Sequence, residues 1–243
     1  GWKQNGFVDQ TVEIAQLLNR YYWYHGAMEA DASEVGADGR IVNRRRAFGN
    51  AVLSRWPINW ARGHLLPKTE LVNCFDLQRG FVEAAVEAPS GSLRVYSAHL
   101  SHVGPQQRLT QVEVLMKTVL DAERTGPPWD AAGGDTFMFQ ERRPDVPRPA
   151  IVAGDFNFTP QHPEYPLVCG EMSAYGRLGT RRHLADAWGA AGNSEDGVES
   201  IPNEGRIDHV CVTHDLAPRV KKAWIDHNVV ASDHWPLFVE FDL

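Results

Sequence analysis

Apolar residues recur along the chain with two different periods. Val8, Val12, Ala15 and Leu18 share one helical face, as do Leu109, Val112, Met116 and Val119, so an amphipathic helix is expected at each place, the second ending near Gly126. Elsewhere, short apolar runs bounded by Gly, Pro or Asp read as strands. "YYWYHG" is a short aromatic strand, and "GNAVLSRWPI" holds one from Asn50 to Ser54 that stops at Pro57. "GFVEAAVEAPSGSLRVYSAHL" reads as a hairpin: Phe81, Val82, Ala85 and Val86 lead into the turn "APSGS", and Leu93, Val95 and Ser97 lead out. Further strands are expected in "AIVAGD", "RIDHVCVT", "VKKAWIDHN" and "WPLFVEFDL". Strands outnumber helices, and helices occupy only a few connections. The expected fold class is therefore α/β: a two-sheet sandwich with helices on the outside, not a regular βαβ repeat.

Composition narrows the picture only a little. The 243 residues are 43% hydrophobic and 23% charged, which suits one globular domain with a core large enough to need no staples. No repeat or dividing linker is visible, so one domain over residues 1–243 is expected. The net charge of −7 excludes a general attraction to a phosphate backbone; any nucleic-acid contact must be local. Cys74, Cys169 and Cys211 form no CxxC pair, so neither a disulfide framework nor a zinc site is indicated, and buried free thiols are expected. No run approaches 18 consecutive apolar residues, so no membrane-spanning helix is expected. The sequence opens without an initiating Met, and a targeting segment upstream of Gly1 would be out of view, so the compartment is left open.

The chemistry sits where strands end. Four strand termini carry polar residues: His99 in "VYSAHLSH", Asp155 and Asn157 in "AIVAGDFN", Asp208 in "GRIDHV", and Asp233 with His234 in "ASDHWPLFVEF". Asp155 and Asn157 are two apart, so on a strand they share a face. Carboxylates and amides gathered at one end of a sheet make a hard-oxygen site for Mg²⁺ or Mn²⁺. The histidines supply proton donors or positive poles on a phosphate. Taken singly, each has a plainer reading: a turn at Asp155–Asn157, a surface Asp-His step, a packed His99, and a buried acid at Asp208 paired with Arg206.

Together, "GNAVLSRWPI", the "RG…LRVYSAHL" hairpin, "GDFN", "RIDHV" and "SDHWP" resemble the endonuclease/exonuclease/phosphatase superfamily, from about Gly49 to the C-terminus. The resemblance implies a deoxyribonuclease-like four-layer α/β/β/α sandwich and a Mg²⁺- or Mn²⁺-dependent phosphoester hydrolase. It further implies that Asp155 and Asn157 hold the attacking water and a phosphate oxygen and contribute to the metal site. It makes Asp233 a metal ligand, has Asp208 orient His234 toward the phosphate, and has His99 contact the scissile group. Arg46 and Asn50 are expected to touch the substrate, with Arg44 and Arg45 beside them as a basic rim or a solvated loop. Trp56, Trp129 and Trp235 are expected to pack in core or rim, and His102 and His162 to lie on the surface.

The family's usual opening strands, one carrying an Asn and the next ending in a metal-binding Glu, are not in view, because the sequence starts at Gly1 where the first helix begins. Glu13 and Glu29 do not replace that Glu; either a front segment upstream of Gly1 carries it or the chain is a natural fragment without it, and both readings stay open. Nucleic acid, a phospholipid head group and a small phosphate ester all remain as substrates; inositol 5-phosphatases are disfavoured, because their Cys-Asp-Arg step is absent from "GRIDHV". The alternative is an inactive member of the fold used for binding. No stable protein partner is expected. Finally, residues 125–149 form a Gly/Pro-rich loop returning into "AIVAGDFN", which is read as one wall of the substrate groove, with Trp129, Phe137, Met138, Phe139, Arg142 and Arg143 facing substrate. The plainer reading is a surface excursion.

Overall fold

The computed structural model describes residues 2–130 and 143–243. Helix α1 (Gln10–Leu18) leads into β1 (Tyr21–Asp31); a small hairpin of β2 (Glu34–Val35) and β3 (Ile41–Val42) follows, and β4 (Arg45–Ser54) returns beside β1. β5 (Ile58–Leu65), β6 (Gly80–Ala88) and β7 (Gly91–His99) come next. α2 (Pro105–Leu120) and α3 (Ala122–Thr125) cross over to β8 (Ala150–Asp155). After α4 (Tyr165–Cys169) come β9 (Glu171–Ser173), β10 (Gly176–Leu178), β11 (Ala185–Asp186), α5 (Ala187–Ala190), β12 (Asp208–Val212), β13 (Val220–Ile225) and β14 (Leu237–Phe241).

The central sheet has six strands in the order β11-β12-β8-β7-β6-β5. Among the described residues only β7 and β8 run parallel, and a parallel neighbour demands a long crossover, which α2 provides. Pro105 at the first position fixes φ for the helix start without removing a needed N–H donor. Val112, Leu115, Met116 and Val119 of α2 pack with Phe81, Tyr96 and Val152 in the main apolar cluster, which also takes in Phe156, Phe158, Tyr165 and both buried thiols, Cys169 and Cys211. The other side of the sheet is covered by two hairpins, β1–β4 over β5 to β7 and β13–β14 over β12. Between sheet and hairpins lie two smaller clusters, one around Val52, Val82 and Ala84, the other around Val212, Val239 and Phe241. The α/β sandwich with outer helices is thus the architecture observed.

Four expectations need correction. Cys74 is exposed, because it sits in the irregular Pro67–Arg79 connection with no layer above it. On α1, Ala15 is buried but Leu18 is 54% exposed, so the helix presents less of its apolar face to the core than its periodicity promised. Arg45 and Arg46 are strand residues, not a basic loop, because β4 begins at Arg45 and pairs with β1 as far as Asp31. The loop after Thr125 does not return beside Asp155: it enters at Ala150, the opposite end of β8, roughly 16 Å from Asp155 at 3.3 Å per residue. Its return limb is tied to that far end by Arg94, which donates to Pro147 O at 2.7 Å and Arg148 O at 3.2 Å, and by Trp60 Nε1, which donates to Asp145 O at 2.9 Å. Arg143 pairs with Asp130 at 2.7 Å. Phe137, Met138, Phe139 and Arg142 lie outside the described residues.

Candidate active site

Register alone brings three polar residues into line. His99 ends β7 opposite Asp155 at the end of β8, and Asp208 at the start of antiparallel β12 is the direct partner of Asp155. A side chain at Gly154 would overlap Ala98 O on β7, so only glycine lets the two strands approach this closely just below the site. Past Asp155 the chain turns sharply: Asn157 takes the left-handed conformation at φ 55°, which Asn tolerates better than most residues. The turn closes on itself. Asn157 N donates to Asp155 Oδ1 at 2.9 Å, and Asn157 Nδ2 donates to Asp155 Oδ2 at 3.1 Å and Leu100 O at 3.0 Å.

His234 arrives from the segment before β14, and its Nδ1 lies 2.8 Å from Asp208 Oδ2. Ser200, fully buried, aligns the two segments: its hydroxyl accepts from Asp208 N at 3.0 Å and its carbonyl from Trp235 N at 2.7 Å. Beneath them lies a cleft of about 380 Å³ lined by Gly154, Asp208, His234 and Trp235 among others. A larger concavity of about 760 Å³ lies elsewhere, and its Arg177 is already paired with Glu195 at 2.6 Å.

Burial works against every charge here, and the partners decide the outcome. It pushes the Asp155 carboxyl up, but the His99 ring, the Asn157 N–H and the charge of His234 bring it below the usual carboxylate range. Burial pushes His234 down, but the hydrogen bond and charge of Asp208, with Asp155 and Asp233 nearby, raise it above the usual histidine value. Asp208 ends above its ordinary value, because burial and the Asp155 charge outweigh Ser200 and His234.

Arg79, which the sequence did not single out, is part of this site. It is 5% exposed, lies under the Phe48 ring, and directs Nη1 to His99 Nε2 at 2.5 Å and Nη2 to His102 Nδ1 at 2.9 Å. A guanidinium only donates, so both ring nitrogens accept. His99 Nε2 also lies 3.2 Å from Asp155 Oδ2. One nitrogen cannot accept from Arg79 and donate to Asp155 at once, so the lowering of Asp155 by the His99 ring belongs to the arrangement in which Arg79 has let go and His99 donates. His102 is exposed, as expected, yet it is tied to the site. The signal for Arg79 was present: the hairpin turn sets Gly80 opposite His99, which places its neighbour at the site.

The remaining expected residues are placed as follows. Asp233 is exposed beside His234, with Oδ1 taking a hydrogen bond from Ser232 Oγ at 3.1 Å. Asn50 reaches inward to Ser97 Oγ at 3.5 Å, one strand step below Phe48. Arg46 lies one step beyond Phe48, exposed, with Nη2 3.4 Å from Asp31 O. Arg206 pairs with Asp186 at 2.6 Å, not with Asp208, which removes the plainer reading of that acid. Among the described residues no three His, Cys, Asp or Glu side chains form a group able to hold a metal ion unaided. Magnesium is ordinarily held by one or two carboxylates completed by water and substrate phosphate, and Asp155 with Asn157 offers that partial set.

Comparison with known proteins bears on the fold and the family. Solved structures of the same fold include a mannosyl-6-phosphatase of Bacteroides thetaiotaomicron (17% identity, TM-score 0.58, covering 98% of this chain and 82% of that one). They also include the catalytic domain of human Nocturnin with a bound sulfate anion (15%, 0.57, 97% and 78%) and a truncated TDP2 of Caenorhabditis elegans (16%, 0.54, 95% and 79%). No curated protein matches the sequence. The sequence profile of the Endonuclease/Exonuclease/phosphatase family matches residues 5–234, nearly the whole chain, and the chain belongs to that family.

Proposed function

We propose that this protein hydrolyses a phosphoester bond by direct attack of water on phosphorus. The observation that carries the reading is the convergence at one strand end of Asp155, Asp208 and His234: Asp155 is the register partner of Asp208, whose Oδ2 lies 2.8 Å from His234 Nδ1. Asp155 takes a proton from water as the new P–O bond forms, and Asn157 Nδ2, on exchanging its hydrogen bond to Asp155 Oδ2 for one to the substrate, steadies a phosphate oxygen. His234, held through Nδ1 by Asp208, keeps Nε2–H for the substrate and protonates the leaving oxygen as its bond to phosphorus breaks. Arg79 and the protonated His234 offset the negative charge that otherwise repels the nucleophile. A Mg²⁺ or Mn²⁺ ion, also proposed, would sit on Asp155, Asn157 and Asp233 and polarise a non-bridging oxygen. Esters of sugars, nucleic acids and phospholipids all present this chemistry. The sulfate in Nocturnin and the phosphatase named above support an anion of phosphate shape in this fold.

The test uses p-nitrophenyl phosphate and bis-p-nitrophenyl phosphate with Mg²⁺ or Mn²⁺. Release of nitrophenolate from either, lost in Asp155→Asn and His234→Gln, supports hydrolysis. A folded chain that turns over neither ester but binds orthophosphate by calorimetry supports the binding-module reading.

A further inference from the structure

We propose that His209 is a positioning residue that sets the Asn157 turn through its hydrogen bond to Phe158 O; the inference rests on the hydrolytic reading of the site. His209 follows Asp208 on β12, so the two side chains leave opposite faces of the strand. Asp208 turns toward His234, and His209 turns into the core beneath the Asp155–Phe158 turn, where it is 1% exposed. Its two nitrogens have different tasks. Nδ1 lies 2.9 Å from Arg206 Nη1, which only donates, so Nδ1 accepts and the ring proton resides on Nε2. Nε2 then donates to Phe158 O at 2.7 Å. Burial, with Arg206 alongside, holds the ring neutral and its pKa down at about 4.

Arg206 is itself fixed. Its Nη2 donates to Asp186 Oδ2 at 2.6 Å, and that carboxylate also accepts from Tyr165 Oη at 2.5 Å and, through Oδ1, from Trp188 N at 2.9 Å. A chain of hydrogen bonds therefore runs from Asp186 through Arg206 and His209 to the backbone one residue past Asn157. The rings of Phe156 and Phe158, the two neighbours of Asn157, both rest on His209, with centroids 5.3 and 5.4 Å away. Asn157 occupies a left-handed conformation that its surroundings must enforce. The clamp below it adds to the bonds that Asn157 makes with Asp155 and Leu100 and that Phe156 N makes with Ile207 O. A residue that only filled space here would need no N–H aimed at Phe158 O.

The test separates filling from positioning with two amides. In His209→Gln the terminal NH₂ falls near the Nε2 position and can donate to Phe158 O; in His209→Asn the amide falls near Nδ1 and cannot. Both variants, with His209→Leu, are assayed on p-nitrophenyl phosphate well below their unfolding midpoints, and hydrogen exchange is followed at the Asn157 N–H, which is bonded to Asp155 Oδ1. The expected result is a 10- to 100-fold lower kcat in His209→Asn and His209→Leu, with KM within about two-fold. Exchange at Asn157 should be at least ten-fold faster in both, and His209→Gln should be restored close to wild type in rate and exchange. Wild-type kcat and exchange in folded His209→Asn, or equal behaviour of the Asn and Gln variants, overturns the proposal. If His209→Leu does not fold, the two amides decide. If the wild type turns over no ester, the hydrolytic reading fails, and the exchange comparison alone still decides whether His209 positions the turn.

Discussion

Asp155 and Asp208 face each other directly across the β8–β12 pair, yet their carboxyls are displaced in opposite directions, Asp155 below and Asp208 above the ordinary range. Burial acts on both. The difference lies in their donors: Asp155 has the Asn157 N–H and the histidines around it, whereas Asp208 must bear the neighbouring Asp155 charge with Ser200 and His234 to offset it. Two carboxylates separated in this way can take different tasks at one pH, one as acceptor of a proton from water and the other as anchor for an imidazole.

That anchoring gives the first prediction. With its value raised by Asp208, His234 contributes stability that is complete below the unfolded histidine value near 6.5 and is lost as pH rises through the higher folded value. In Asp208→Asn the His234 resonance should titrate at lower pH than in wild type, and kcat should fall about 100-fold, the range of a lost general acid. An unchanged His234 titration by NMR would refute the assignment.

Asn157 combines a backbone demand with a side-chain role, and substitutions should part the two. Asn157→Gly accepts the left-handed φ freely but loses Nδ2, so it should fold normally and lose roughly 100-fold in kcat. Asn157→Ala loses both, and should be about 1 kcal/mol less stable than the glycine variant in denaturant unfolding. Equal stability of the two would show that the turn carries no such strain.

Arg79 should behave as a binding charge more than as a structural one. In Arg79→Met, which keeps much of the apolar stem under Phe48, KM for a phosphate ester should rise at least ten-fold and kcat should drop, while inorganic phosphate should inhibit more weakly. Unaltered phosphate inhibition would remove Arg79 from the substrate's surroundings.

Glu83 tests the scaffold. It is fully buried and receives Arg62 Nε at 2.6 Å, Tyr96 Oη at 2.8 Å and the His64 ring at 3.1 Å. Burial alone would raise its carboxyl, but these partners hold the pKa down at about 2. A lowered acid contributes stability above its unfolded value that disappears as pH falls through the folded one. Between pH 5 and pH 2 the wild type should therefore lose roughly 3 kcal/mol more than Glu83→Gln, measured by urea unfolding. Parallel pH profiles would disprove it.

Much of this was legible because period and chemistry coincided. Asp155, Asn157 and Asp208 stand where apolar runs stop, and a two-residue step fixes which face each takes. The strand β5 is hard to read because Arg62 and His64 make it look polar; both bond to Glu83, a partner the linear pattern does not reveal. Arg79 was missed for the same reason: an arginine before a glycine resembles a solvated rim, and its burial depends on Phe48, His99 and His102 from three other segments. The return limb, residues 143–149, is near Asp155 in sequence but not in space, because the length of β8 separates them.

The last prediction concerns the metal. Asp155 and Asn157 offer oxygens at the end of β8, while Asp233 is exposed and the described residues contain no self-sufficient cluster. A cation held by so few protein oxygens depends on phosphate and water for its remaining positions, so it should bind weakly without substrate and more tightly with it. Excess chelator should abolish ester hydrolysis, and Mg²⁺ or Mn²⁺ should restore it. Calorimetry should show Mn²⁺ affinity rising at least ten-fold when orthophosphate is added, and Asp155→Asn should remove that gain. Full turnover in excess chelator would rule out the metal. Tight Mn²⁺ binding with no phosphate present would instead require protein ligands beyond those described.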